Sequence, residues 1–221
     1  MKKIIFLLVF IALINIVAGA QTYRVVMKTT QGKILLELFD GTPKHRDNFV
    51  KLAHKHFYDG LLFHRVIAGF MIQGGDPDSR TAKQGQLLGD GDVGYTIPAE
   101  FNDKYFHQRG ALAQARDDNP AKASSGCQFY IVTGKKFTDE TLAKEEKRAG
   151  RKIPEAQKEI YKTIGGAPHL DGNYTVYGQV LKGMDVADKI VNQKRDKNDR
   201  PLKNQVIEKV RIKKKFLGVW L

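Results

Sequence analysis

The chain has 221 residues, 42% of them apolar and 28% charged, a composition that suits one compact domain and excludes a fold without a core. Lys and Arg number 37 against 24 Asp and Glu, for a formal charge of +13, which biases encounters toward acidic partners and is silent about fold. A single Cys excludes an intramolecular disulfide and any cysteine-cluster zinc or iron–sulfur site.

Met1-Lys2-Lys3 is a short basic region, Ile4 to Ile14 is almost unbroken apolar sequence, and Ala18-Gly19-Ala20 has the small-x-small form of a signal-peptidase site before Gln21. These features predict a signal peptide over residues 1–20, whose apolar core is short for a membrane span. Its removal takes away Lys2 and Lys3 and lowers the formal charge from +13 to +11. No Cys stands at the cleavage point, so a lipid anchor on a new amino-terminal cysteine is not available.

In the remaining chain, Tyr23, Val25 and Met27 alternate with Arg24, Val26 and Lys28. After Thr29-Thr30-Gln31-Gly32, Ile34, Leu36 and Leu38 share one face, which predicts a β-hairpin. Thr42 as cap and Pro43 at the first helical position open a predicted helix whose inward face carries Phe49, Leu52, Ala53 and His56, with Tyr58-Asp59-Gly60 closing it. Leu61 to Ile67 reads as a strand. In the next stretch, glycines at 69, 74, 75, 85, 89, 91 and 94 interrupt short apolar runs, a density of turns that favours an all-β or barrel-like body over a doubly wound sheet. Gly110 to Ala115, Gln128 to Thr133, Tyr174 to Val180 and Gln205 to Lys213 are further strands, and Met184 to Asn192 a second short helix. Residues 135–168 differ from either side. Thr138 caps a helix through Leu142 to Ala149, Gly150 interrupts it, and Pro154 opens another containing Ala156, Ile160, Tyr161 and Ile164. Their closely spaced Lys and Glu suit a solvated helical pair elaborating one domain.

The chain lacks a His-Glu-x-x-His pattern, a Gly-rich phosphate loop and a Gly-x-Ser-x-Gly elbow. His54, His56 and His64 are not spaced as a metal set, and neither metal nor cofactor is expected. Cys127 lacks a paired base and reads as a small buried hydrophobe. The most unusual stretch is Phe63-His64-Arg65-Val66-Ile67-Ala68-Gly69-Phe70-Met71-Ile72-Gln73-Gly74-Gly75-Asp76. Strand alternation puts Phe63, Arg65 and Ile67 on one face and His64 and Val66 on the other. After the bend at Gly69, Phe70, Met71 and Gln73 contribute to the same depression, where an amide orients the guanidinium. On spacing alone, Arg65 as an ordinary surface charge and Phe70 and Met71 as core stands as the alternative.

This block, with Gly110-Ala111-Leu112-Ala113-Gln114-Ala115 and Gly126-Cys127-Gln128-Phe129-Tyr130-Ile131, resembles the signature blocks of the cyclophilin family of peptidyl-prolyl isomerases, in order from about Tyr23 to Lys213. The resemblance implies a mainly β fold, a closed eight-stranded antiparallel barrel capped by two helices, with peptide bound on its outer surface. The domain is expected over residues 21–221, including a helical insertion at about 135–168. By the same resemblance, Arg65 is the catalytic cation and Gln73 its orienting partner. Phe70, Met71 and Leu170 form walls of a proline pocket, and Tyr130 takes the place of a usual aromatic wall. Gln128 is a groove residue binding substrate backbone, Ala115 and Arg116 pair through their main chain with bound peptide, and His64 is a pocket-side histidine.

Three positions depart from the family pattern. Tyr130 stands where Phe is usual, so its hydroxyl requires a partner or a place at the pocket rim. Tyr174 replaces a frequent His at the rim, and His169 stands where many members carry a Trp that also contacts cyclosporin, which implies weakened sensitivity to that drug. The function implied is isomerisation of X-Pro bonds in exported, unfolded or partly folded chains. The alternative is a proline-binding chaperone module with little turnover. Nucleic-acid binding is disfavoured, because Lys213-Lys214-Lys215, Phe216 and Trp220 make no interleaved stacking platform. A monomer is expected, in the periplasm or alternatively secreted, without stable membrane insertion after cleavage, and the apolar residues from Phe216 to Leu221 either fold back onto the barrel or mediate a weak contact.

Overall fold

The computed structural model describes the backbone of residues 23–216 and 219–220 and the side chains of residues 23–214. The expected signal peptide and the side chains of the terminal tail lie outside the described residues.

The hairpin forms from β1 (Tyr23–Thr29) and β2 (Gly32–Leu38), and Val25, Met27, Ile34, Leu36 and Leu38 all face the main core. Helix α1 (Pro43–His54) follows, burying Phe49, Val50, Leu52 and Ala53. Its first turn is not capped by Thr42, whose hydroxyl accepts no bond from it. The carboxylate of Glu100 accepts instead from the backbone N–H groups of Lys44 and His45, at 3.1 and 3.0 Å, placing a negative charge at the helix N-terminus. The helix ends earlier than its sequence pattern predicts, so His56 lies beyond it, exposed and at φ 56°.

Next come β3 (Phe63–Ile67), β4 (Met71–Gly74), β5 (Thr96–Ile97), β6 (Ala111–Gln114), β7 (Ser124–Ser125) and β8 (Phe129–Val132). They are followed by α2 (Asp139–Ala149), α3 (Glu155–Thr163), β9 (Val176–Lys182), α4 (Met184–Val191), β10 (Ile207–Phe216) and the two-residue β11 (Val219–Trp220). Thr138 caps α2 with its hydroxyl, Gly150 ends it in the left-handed conformation, and Pro154 precedes α3.

All strand pairs are antiparallel, in the order β11-β10-β1-β2-β9-β6-β8-β4-β3, with β5 and β7 forming a separate pair. The expected closed eight-stranded barrel is therefore corrected. Eight strands curl, with β11 appended, but the order has two ends, and no ladder joins β3 to β10. The ends approach at the isolated bridge Leu62–Val206, just before both strands begin. Past that point the outer edge of β3 meets a turn instead, Val66 N–H donating to the Asp199 carbonyl at 2.9 Å. The interposed turn keeps β10 from zipping along β3, and the sheet stays an open, curled half-barrel. Helix α1 packs on β9 and β10, and α4 on β2, β3 and β4.

The sheet is apolar on both faces. Phe63, Val66, Ile72, Leu112, Phe129 and Ile131 point into the main core. Their strand neighbours Ile67, Met71, Ala111, Ala113, Tyr130 and Val132 form a smaller cluster on the other face with Leu170, Val176 and Tyr174. Alternation thus supplies a second apolar surface outside the curl.

Candidate active site on the outer face of the sheet

Arg65, Gln73, Tyr130 and Ala113 are direct cross-strand partners along β3, β4, β8 and β6, so their side chains share one face. Arg65 reaches that face because the β3–β4 register slips. Phe63 pairs with Gly74 and Arg65 with Gln73, two residues on β3 against one on β4, which makes His64 the extra residue of a β-bulge. Simple alternation puts Phe63 and Arg65 on one face. The bulge corrects this, since Phe63 packs in the main core while Arg65 and Ile67 turn outward.

A depression of about 170 Å³ is lined by Arg65, Phe70, Met71, Gln73, Ala115, Arg116, Tyr130, Leu170 and Tyr174. It brings together nine of the residues singled out in the sequence. Gln128 lies in the adjoining depression, which shares Gln73, Ala115 and Arg116 with the first. His64 lies outside the lining, buried at 2% exposure, and burial lowers its pKa to about 4. His169 is also outside it, with its ring 5.3 Å from that of Phe70 and its pKa lowered, chiefly by burial.

The Arg65 guanidinium is partly open to solvent, with 43% of the side chain exposed. Its Nη1 donates to Gln73 Oε1 at 3.3 Å, and Gln73 Nε2 donates to Gln128 Oε1 at 3.1 Å. Gln128 Nε2 donates in turn to the carbonyls of Gly89 and Gly91, at 2.7 and 2.8 Å. Because those carbonyls accept only, each amide is oriented in sequence, and Gln73 presents its oxygen to the arginine. The loop supplying the carbonyls is itself fastened by Asp76, whose Oδ2 accepts from Gly89 N–H at 2.6 Å. Gly75, between Gln73 and that anchor, sits at φ 96° with its α-carbon packed against the Cys127 carbonyl, a position only glycine fills without strain.

Arg116 is pinned rather than free. Its Nε donates to the Asn173 carbonyl at 2.9 Å, and its guanidinium lies 4.9 Å from the centre of the Tyr174 ring. The main chain at Ala115 is fully engaged, its N–H donating to Gln128 and its carbonyl accepting from Ser125. Of the two residues expected to pair with peptide through their backbone, Ala115 is therefore already committed to the fold. Among the described residues, the Arg116 peptide groups make no backbone hydrogen bond.

Tyr130 meets the requirement its hydroxyl imposes through a residue the sequence reading did not select. The hydroxyl is 3.0 Å from Nε2 of His107, which is wholly buried, and His107 Nδ1 is 2.8 Å from Asp171 Oδ1. The only signal for this pair in the sequence is the need of a buried Tyr for a polar neighbour. Cys127 is wholly buried, and burial pushes its thiol up to about 11, so it is no nucleophile at neutral pH.

The family model for cyclophilin type peptidyl-prolyl cis-trans isomerase/CLD matches residues 24–212. The chain belongs to the cyclophilin family. Membership carries the reaction: the chain is a peptidyl-prolyl cis/trans isomerase, acting on X-Pro bonds. A Staphylococcus epidermidis protein named as a peptidyl-prolyl cis-trans isomerase is 36% identical over 86% of this chain and 91% of its own length. A Streptococcus pyogenes protein named as a bifunctional phosphatase/peptidyl-prolyl cis-trans isomerase is 38% identical over 86% of this chain, which spans 38% of that longer protein. Among solved structures, a Cryptosporidium parvum cyclophilin type isomerase superposes with a TM-score of 0.61 at 25% identity, covering 87% of this chain and 96% of that one. The same protein crystallised in the presence of the dipeptide Ala-Pro gives 0.60, over 85% and 96%.

Proposed function

We propose that this cyclophilin turns X-Pro bonds of exported, unfolded or partly folded polypeptides in the outer-face depression, with Arg65 as the catalytic cation. The X-Pro amide loses double-bond character when its carbonyl turns out of plane, a barrier of about 18–20 kcal/mol without a catalyst. Phe70, Met71, Tyr130 and Leu170 grip the proline ring while the acyl side rotates. Arg65 donates to the prolyl nitrogen as its lone pair localises, a bond stronger in the twisted state than in either planar one. A gain of about 10⁴ in rate needs roughly 5.5 kcal/mol of such selective stabilisation. Gln73 is the orienting partner. Gln128 and the Arg116 main chain hold the peptide before proline, and Tyr174 and His169 form the rim.

The reading is carried by the row of Arg65, Gln73 and Tyr130 on one outward face, with the guanidinium tied to an amide at Nη1, 3.9 Å from the Asp199 carboxylate at Nε, and partly open to solvent. The leader-like residues 1–20 support export, to the periplasm first and beyond the cell second, with residues 21–221 as one domain carrying a helical insertion at about 135–168. A protease-coupled X-Pro peptide assay tests the site: Arg65→Ala lowers kcat/KM by about 10²–10³. Equal turnover by wild type and Arg65→Ala overturns the assignment, and proline-peptide binding without turnover by the wild type points to a holding module instead.

A further inference from the structure

The aromatic wall of the depression is held from behind by a single buried chain of hydrogen bonds. Asp171 is its hub. Its Oδ1 accepts from both the backbone N–H and Nδ1 of His107, at 2.9 and 2.8 Å. Its Oδ2 accepts from the Tyr161 hydroxyl at 2.6 Å and from Arg151 Nη2 at 3.0 Å. Four donors on two oxygens satisfy a carboxylate that is 5% exposed. Burial opposes its charge, but the bonds from His107 and Tyr161 hold its pKa below the ordinary value. The other ring nitrogen of His107, Nε2, lies 3.0 Å from the Tyr130 hydroxyl, so the imidazole bridges Asp171 and Tyr130. The chain is continuous from Tyr130 through His107 to Asp171.

Both outer partners of the hub belong to the helical pair. Tyr161 lies on α3, wholly buried among Phe106, Phe137, Leu142 and Ile153, and Arg151 lies in the link from α2. Neither lines the depression. The pair also touches the pocket by a second route, α2 packing on the turn Pro168–Leu170 that supplies the Leu170 wall. A phenylalanine at position 130 presents the same apolar face to a proline ring without needing any of these groups.

We propose that the two-helix segment 139–163 positions the proline pocket, Tyr161 and Arg151 setting Asp171 and His107, which fix the angle of the Tyr130 ring. This rests on the reading of the Arg65 depression as the isomerase site. Tyr161, Arg151, Asp171 and His107 are positioning residues, because only Tyr130 faces the substrate. A tilt of the wall misplaces the proline ring relative to Arg65, and errors well under 1 Å already lower the rate.

The test is a double-mutant cycle on the full chain. Tyr161→Phe keeps the ring in its apolar cluster and removes only the hydroxyl. In the wild-type background it is expected to lower kcat/KM on an X-Pro peptide about threefold to tenfold. In the Tyr130→Phe background, where the link is already cut, it is expected to change nothing further. Equal fold losses in both backgrounds mean a merely structural hydroxyl and overturn the proposal. Ring-labelled tyrosine NMR gives a readout independent of turnover: the Tyr130 resonances, assigned by their loss in Tyr130→Phe, shift in Tyr161→Phe. Unshifted resonances overturn the coupling. Should the wild type show no turnover, the isomerase reading falls while these resonances still decide whether the helices set the ring. If Tyr161→Phe does not fold, Arg151→Met at its partly exposed position gives the same two readouts.

Discussion

Arg65 owes its aim to two amides. Gln73 and Gln128 form a relay from the Gly89 and Gly91 carbonyls to the guanidinium, and neither amide can flip without breaking a bond further back. Gln73→Ala leaves the charge in place but removes the end of the relay, so kcat/KM is expected to fall about tenfold, mostly in kcat, against the larger loss in Arg65→Ala. Peptide kinetics on the two variants in parallel check the ranking. His64, one residue away, controls stability instead. Burial takes its pKa from 6.5 to about 4, so the unfolded chain binds a proton between those values and the folded chain does not. Its contribution is whole above pH 6.5 and is lost as the pH falls toward 4, on the order of 3 kcal/mol across the window. Urea unfolding of wild type and His64→Gln between pH 4 and 7 is expected to show a shallower pH dependence in the variant. Both residues stood out in the block from Phe63 to Asp76. What side-chain type could not reveal is that one faces outward and the other is buried, because that depends on the register of β4.

That register is an element-scale matter. A period-two reading of β3 assumes one residue against one, and the bulge at His64 breaks the assumption. The apolar residues Phe63, Val66 and Ile72 are then collected on the inner face and Arg65 is released to the outer one. Helix α1 shows the same limit. Thr42 and Pro43 mark its start correctly, yet its N-terminal donors are satisfied by Glu100, more than fifty residues away, whose Oε2 also lies 2.7 Å from His45 Nδ1. Glu100→Ala strips the helix end and leaves a buried imidazole nitrogen without its partner. Stability is expected to drop by about 2 kcal/mol in chemical denaturation, with kcat/KM per folded molecule retained. Helix α2, by contrast, was legible at both ends and α3 at its start, because Thr138, Gly150 and Pro154 act on their immediate neighbours.

At the scale of the molecule, the curled sheet sorts alternate residues into a large inner core and a smaller outer cluster. The outer cluster becomes a pocket where α1 and α4 leave it uncovered and the helical pair flanks it. The described residues contain no helix long and apolar enough to cross a membrane. Export, argued from the leader, makes its own prediction: amino-terminal sequencing of protein recovered outside the cytoplasm is expected to begin at Gln21, and a chain starting at Met1 there contradicts cleavage.

Family and reaction class were determined by the sequence alone, because the block around Arg65 and the two later glycine-led blocks are short, contiguous runs. Local rules also sufficed for the hairpin and the capped helices, whose signals act within a few residues. Tertiary structure alone decided that the sheet stays open at β3, that Arg65 faces outward, that the Ala115 backbone is already engaged, and that Tyr130 answers to His107 and Asp171. Each of these depends on pairing between segments far apart in the chain, where register and buried hydrogen-bond partners are settled by which surfaces meet and not by the residues taken in order.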